Sequence, residues 1–314
     1  MNPPRIVIAG GSGHLGQMLV RHFHAAGSDV TVLSRFPAPT PWKTVHWNGR
    51  DLNGWTEELE AADVVINLAG RSVNCRYTAD NRRQILDSRV DTTRALARAI
   101  SQATRPPTLW MNASTATIYR HSLDRDMDEA TGELGGNESG VPATWRFSTD
   151  VARAWEQAFF ETALPNTRRI ALRAAMVMSP DPGGAFEMLL ALARRGFSGP
   201  AANGAQFVSW IHHRDFVRVI DFLIERPDLD GPINICAPHP LPNREFMYAL
   251  RDSSGALVGL PATRWMLEIG AVFLRTETEL ILKSRRVIPR RLTESGFEFL
   301  FPTWPEAAED LVRE

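Results

Sequence analysis

The sequence predicts an α/β fold: a doubly wound parallel sheet with a smaller, mostly C-terminal second domain. Three observations carry that prediction. From residue 5 to residue 178, short β-branched runs alternate with amphipathic stretches of helical period. The first of those runs ends in a cluster of glycines. Beyond about residue 237 the strict alternation fades.

The elements follow in order. RIVIAGG (5–11) is short, β-branched and closed by glycines, as a buried parallel strand should be. GHLGQMLVRHFHAAG places Leu15, Leu19 and Phe23 at helical spacing and ends on Gly27. DVTVLSR reads as a second strand. The turn of this βαβ unit holds Gly10, Gly13 and Gly16 at three-residue spacing, with Gly11 beside them. In such a turn one glycine permits the tight bend, another lets backbone approach a pyrophosphate, and the third allows close helix–strand packing. The free N–H groups of the helix start then face the phosphates. The expected arrangement is of Rossmann type, with a dinucleotide held by Gly10, Gly11, Ser12, Gly13, His14, Leu15 and Gly16.

The second strand ends Ser34-Arg35, with no carboxylate to bond a ribose 2′-OH. A guanidinium there suits a 2′-phosphate, so NADP(H) is expected in preference to NAD(H). DVVINLAG (63–70), a helix within RRQILDSRVDTTRALARAI, TLWMNAS (108–114) and RRIALRAAMVM (168–178) continue the alternation. Ligands of such sheets lie beyond the carboxyl ends of the strands, which brings in Leu68, Ala69, Gly70, Ala113, Ser114 and Arg173. In the C-terminal part, NREFMYALRDS and WMLEIGAVFL read as helices, and RRLTESGFEFLFP as helix, glycine stop and short strand. The expected division is 1–178 plus 208–236 for the cofactor domain, and 179–207 plus 237–314 for a substrate or lid domain. The polar stretch 120–144 is expected to be a long loop.

These residues resemble a known family. AGGSGHLG, DVVINLAG, ILDSRVDTTRAL, NASTATIY, FVSWIHHRDFVRVI and RVIPRRLTESGFEFLFP together are similar to the atypical, epimerase-like branch of the extended short-chain dehydrogenases/reductases. That branch carries an extra C-terminal domain of unknown function. The resemblance implies an NADP(H)-binding domain with a smaller substrate domain, and a superfamily of epimerases, dehydratases and reductases. It also implies a catalytic tyrosine, a lysine four residues later that lowers its pKa, and a Ser or Thr at the preceding strand end.

The chain supplies only the last of these, in Ser114, Thr115 and Thr117. Residues four beyond Tyr77, Tyr119 and Tyr248 are Asn81, Leu123 and Asp252, and the chain has two lysines, Lys43 and Lys283. In WRFSTDVARAWE the Tyr and Lys places hold Phe147 and Val151, which continue with Trp155 and Phe159 as an apolar stripe of core-packing type. Tyr119, five residues past Ser114, is the candidate to move the proton in place of the usual pair. His121 and His212 are lesser candidates, Asp215 is expected to anchor a helix, and Arg76, Arg82 and Arg146 can meet an anionic substrate.

Bulk properties narrow the classes further. The chain has 314 residues, 44% hydrophobic and 23% charged, with a formal net charge of −1, which gives no reason to expect nucleic acid or an anionic membrane as partner. Two cysteines, Cys75 and Cys236, without CxxC spacing suit a reducing cytoplasm. No run approaches the roughly 20 apolar residues of a membrane span. No His/Cys spacing suits a metal: His22 and His24 fall on different helix faces. Two functions stay open, for a monomer or homodimer. One is an NADP(H)-dependent, epimerase-like oxidoreductase acting on a small, carbohydrate-derived substrate. The other is a non-catalytic NADP(H)-binding regulator of a protein partner, linked through the resemblance to cell division.

Overall fold

The computed structural model describes residues 3–263, 265–266 and 277–314. Seven parallel strands form its central sheet: β1 (Arg5–Ala9), β2 (Asp29–Ser34), β3 (Lys43–His46), β4 (Val64–Asn67), β5 (Leu109–Thr115), β6 (Arg168–Ala174) and β10 (Gly231–Ile235). Their order is β10-β6-β5-β4-β1-β2-β3, so the winding reverses between β1 and β4. A ligand crevice opens at such a switch point.

The sequence explains why the sheet is covered on both faces. Along β1, Ile6 and Ile8 point into one core with Leu19, Phe23, Val219 and Leu223. Val7 and Ala9 point into the other, with Leu96, Ile100, Trp110 and Phe159. Helices α1 (His14–Ala25) and α5 (His213–Glu225) cover the first face. The second is covered by α2 (Ala79–Gln102) and α3 (Ala143–Phe160). A strand buried on both sides reads as an unbroken apolar run, as RIVIA does.

The run 168–178, expected as one strand, is two. Past Ala174 its neighbour β5 has ended, and β7 (Met176–Met178) turns away to pair with β9 (Trp210–His212). An antiparallel pair, β8 (Phe207–Val208) and β11 (Leu241–Pro242), adjoins it. Over these lie α4 (Ala185–Arg194), α6 (Asn243–Ser254) and the C-terminal α9 (Trp304–Arg313), around a third core. There Trp304 stacks on Phe246 with ring centroids 4.0 Å apart.

Two short helices, α7 (Glu279–Leu282) and α8 (Arg290–Glu294), precede α9. The strand expected after Gly296 does not form. Instead, the N–H groups of Leu300 and Phe301 donate to the Asp215 carboxylate at 2.8 and 2.9 Å, a side chain standing where a ladder partner would be. Of the expected helix WMLEIGAVFL only Trp265 and Met266 lie within the described residues. Of the stretch 120–144, residues 143 and 144 open α3 and 120–142 is a loop tied to the C-terminal part through Met127, whose backbone bonds Arg286 and Ile288. Lys43 begins β3, and its Nζ donates to Glu58 at 2.7 Å. Among the described residues no helix is long and apolar enough to cross a membrane.

His212 caps α5: its Nδ1 accepts the Arg214 N–H at 3.2 Å. Burial, aided by the charges of His213 and Arg214, pushes its pKa from 6.5 down to about 3. The unfolded chain therefore takes up a proton below pH 6.5 that the folded chain refuses. Stability is full above that pH and falls as pH drops toward 3. Acidifying from pH 6.5 to 5 should cost about 1.6 kcal/mol through this residue, less what Asp310 Oδ2, 3.2 Å from Nε2, returns to the protonated ring. Urea denaturation at the two pH values checks it, and His212→Gln should remove most of that difference.

Candidate active site

The glycine turn follows from packing. Gly10 sits at φ +76°, and a Cβ on it would meet Ala69 N at 2.7 Å. A Cβ on Gly16 would stand 2.4 Å from Gly10 O, so only glycine lets α1 start this close to β1. Gly11 is pressed against Val32. Gly13 differs: its φ of −80° is open to any residue, and a Cβ there meets nothing nearer than 3.4 Å. Among the described residues, no side chain caps the start of α1, and the His14 Nε2 beside it is buried without a hydrogen-bond partner.

Two clefts meet at this turn. A 910 Å³ cleft runs over Gly10, Ser12 and Gly13 to Ser34, Arg35 and Asn48, with Ala69 along its side. A 550 Å³ cavity runs the other way, past His14, Leu15, Gly16, Ala113 and Ser114. Gly10, Gly13, Leu68, Gly70 and Arg71 line both, so the two form one trough across the carboxyl ends of β1, β4 and β5. Ser34 Oγ donates to Ser12 Oγ at 3.3 Å, tying the second strand end to the glycine turn. Arg35 is exposed at the outer end.

Not every expected residue reaches the trough. Gly11 lies behind the turn, and Arg173 and Tyr119 line neither cleft. Tyr119 is 1% exposed. Its hydroxyl donates to Asn234 Oδ1 at 2.9 Å and accepts from Arg173 Nη1 at 2.8 Å. Burial, against the pull of Arg173, pushes its pKa up to about 12. Arg173 forks onto Glu156 with two bonds of 2.8 Å, and Ser114 Oγ donates to the same carboxylate at 2.6 Å. The Tyr119 phenol therefore sits behind the wall that Ser114 faces.

His121 is also elsewhere. It stacks on Trp145, and the two share a separate 390 Å³ cavity. Arg82 donates to Tyr77 O, Arg76 lies 3.4 Å from Glu277, and Arg146 is exposed; none lines the trough. The stripe on α3 does two things. Phe159 packs on Trp110 in the core, while Phe147, Val151 and Trp155 also form the cavity wall.

The inner cavity holds polar groups that spacing along the chain does not bring together. Tyr77, Thr117, Ser148, Glu279 and Arg285 all line it. Tyr77 precedes Thr78, the residue that caps α2, and its N–H donates to Glu277 Oε1 at 2.7 Å. Its ring meets Phe147 edge-on at 5.0 Å. Burial and the nearby Glu279 push its pKa up to about 12, so the phenol keeps its proton. Ser148 Oγ donates to Glu279 Oε2. Arg285 Nε donates to Thr117 Oγ1 at 2.9 Å, and its Nη2 lies 3.7 Å from Glu279 Oε1. Lys283 reaches the Thr117 carbonyl at 2.8 Å, and burial lowers its pKa to about 7. The second lysine of the chain is thus next to the cavity, though not on a helix with a tyrosine. Among the described residues no group of three His, Cys, Asp or Glu side chains can hold a metal ion.

Comparison with known proteins agrees with this architecture. The chain is 31% identical over 316 residues to the epimerase family protein SDR39U1 of Bos taurus, covering 98% of this chain and 99% of that one. The crystal structure of human SDR39U1 with NADPH superposes with a TM-score of 0.86 at 28% identity over 99% of both chains. The Thermus thermophilus UDP-glucose 4-epimerase in complex with NAD shares the fold, with a TM-score of 0.72 at 16% identity over 98% of each chain. A domain of unknown function, DUF1731, matches residues 262–311. The model of the NAD dependent epimerase/dehydratase family matches residues 6–236, and the chain belongs to that family.

Proposed function

We propose that this chain binds NADP(H) along the trough and is an epimerase-like oxidoreductase acting on a small, carbohydrate-derived substrate in the inner cavity. The observation that carries this reading is the continuity of the trough, from an arginine-lined outer end, over the glycine turn, to a cavity with hydroxyls and a carboxylate. The fit to a dinucleotide rests on three features of the turn. Gly10 and Gly16 hold backbone where a Cβ would clash, Gly13 stays small with no packing reason, and His14 has an orphaned nitrogen. The similarity to a human relative solved with NADPH supports the same cofactor.

In this reading the uncapped N–H groups of α1 hold the pyrophosphate, and Arg35 takes the 2′-phosphate. When bound, the nicotinamide supplies hydride exchange with the substrate carbon. Ser114 orients the reacting oxygen, its hydroxyl aligned by Glu156. Tyr119 acts through Arg173 and Glu156 on Ser114, as a positioning residue.

Arg35 is exposed, so its charge-assisted bonds are partly screened. Arg35→Ala should weaken NADPH about tenfold, a cost of about 1.4 kcal/mol, and leave NADH unchanged. Fluorescence titration with both nucleotides tests this. Tighter NADH binding by the unaltered protein would overturn the NADP(H) preference.

One observation favours a second reading, a non-catalytic NADP(H)-binding regulator: Phe147 and Val151 present carbon to the cavity where the resemblance calls for Tyr and Lys. Following NADPH absorbance of the loaded protein against carbonyl compounds and sugar nucleotides separates the two. No oxidation of the cofactor by any of them would select the regulator.

A further inference from the structure

Glu279 occupies an unusual position. Its residue is 0% exposed, yet it lines the inner cavity. One carboxyl oxygen, Oε2, accepts the Ser148 hydroxyl. The other, Oε1, is buried with no hydrogen-bond partner among the described residues. Arg285 Nη2, at 3.7 Å from Oε1, is too far to bond it. A buried carboxyl oxygen left unpaired costs free energy unless a proton or a ligand completes it. Two neighbouring hydroxyls are engaged. Thr117 Oγ1 accepts from Arg285, the Ser148 hydroxyl is given to Glu279, and Tyr77 is held beside both.

We infer that Glu279 carries the exchangeable proton of this cavity, and that its free Oε1 meets the oxygen of an alcohol or carbonyl substrate. The inference rests on the NADP(H) reading above. In the reductive direction the substrate's C=O π bond breaks. Its carbon takes a hydride from the nicotinamide, its oxygen takes the proton from Oε1, and Glu279 is left as a carboxylate beside Arg285. Oxidation of the alcohol runs the same exchange backwards, with the hydroxyl proton passing to Glu279. Phe147 and Val151 can then serve as plain walls, because the proton enters from α7.

The surroundings shift Glu279 toward its protonated form. Burial raises the Glu279 pKa, and Glu277 adds to that; Arg285, the Ser148 hydroxyl and Lys283 oppose it, with the net direction upward. Tyr77 beside it is neutral at ordinary pH, while Arg76 lies beside Glu277.

Infrared difference spectroscopy of the full chain, with and without NADPH, tests this without a substrate. At pH 7 the unaltered protein should show a carboxylic-acid carbonyl band that Glu279→Gln removes. Ser148→Ala should shift the band, and so should loading NADPH, since Glu279 lines the same cavity. Absence of the band at pH 7, or a band that NADPH leaves in place, overturns the assignment. The same samples show by fluorescence whether NADPH binds. Failure to bind counts against the NADP(H) reading, whereas normal binding with no Glu279 band counts against this inference alone.

Discussion

Replacing Glu156 with alanine should lower the free energy of unfolding by about 3–5 kcal/mol, the cost of stranding a buried charge. Arg173 and Glu156 side chains are only 8% and 11% exposed and meet through two bonds. Around them the chain runs from Ser114 on β5 through Glu156 on α3 and Arg173 on β6 to Tyr119 and Asn234 on β10. Without the carboxylate, the guanidinium keeps one partner in Tyr119 and loses the charge that offsets its desolvation. Glu156→Gln retains an acceptor and should cost less. Tyr119→Phe strands Asn234 Oδ1 and should cost about 1–3 kcal/mol. Urea denaturation curves of the three variants order these effects. A cost below about 1 kcal/mol for Glu156→Ala would mean that water solvates the pair, as at exposed ion pairs, and Ser114 would lose its brace.

The same network explains why the phenol nearest to Ser114 in sequence is not in the trough. From the chain alone, Tyr119 has the right distance from the strand end. What sequence does not carry is the direction of the side chain after the short turn Ala116–Ile118, which aims the hydroxyl at Arg173 of β6 and Asn234 of β10. The glycine turn was legible because its spacing is local to one βαβ unit, where Gly16 answers to the backbone of Gly10 and Gly11 and Gly11 to Val32, although Gly10 answers to Ala69 beyond β4. The Phe147, Val151, Trp155, Phe159 stripe was legible for the same reason, since one helix fixes its spacing. Glu279 and Arg285 were not, because their partners Ser148 and Thr117 are more than 130 residues away, and no period links the two regions. Tyr77 was visible only as a tyrosine without a lysine at the fourth position. Its neighbours come from α3 and α7, so a search along the adjacent chain passes over them.

Gly13→Val should leave the fold intact and weaken NADPH binding at least a hundredfold, about 2.7 kcal/mol or more. The contrast with its neighbours is what makes the result diagnostic. Gly10 and Gly16 are required by the protein itself: one by its positive φ, both by backbone contacts below 3 Å. Gly16→Ala should therefore destabilise the chain by about 1–3 kcal/mol through overpacking, whether or not a nucleotide is present. Gly13 has an ordinary backbone angle and only one contact, at 3.4 Å, so the protein makes no such demand of it. It lies where the two clefts join, and a branched side chain there blocks the path between them. The urea midpoint of Gly13→Val should match the unaltered protein, while fluorescence titration shows the loss of NADPH. Binding that survives this substitution would move the cofactor out of the trough, whereas a lowered midpoint would return Gly13 to the packing of the fold.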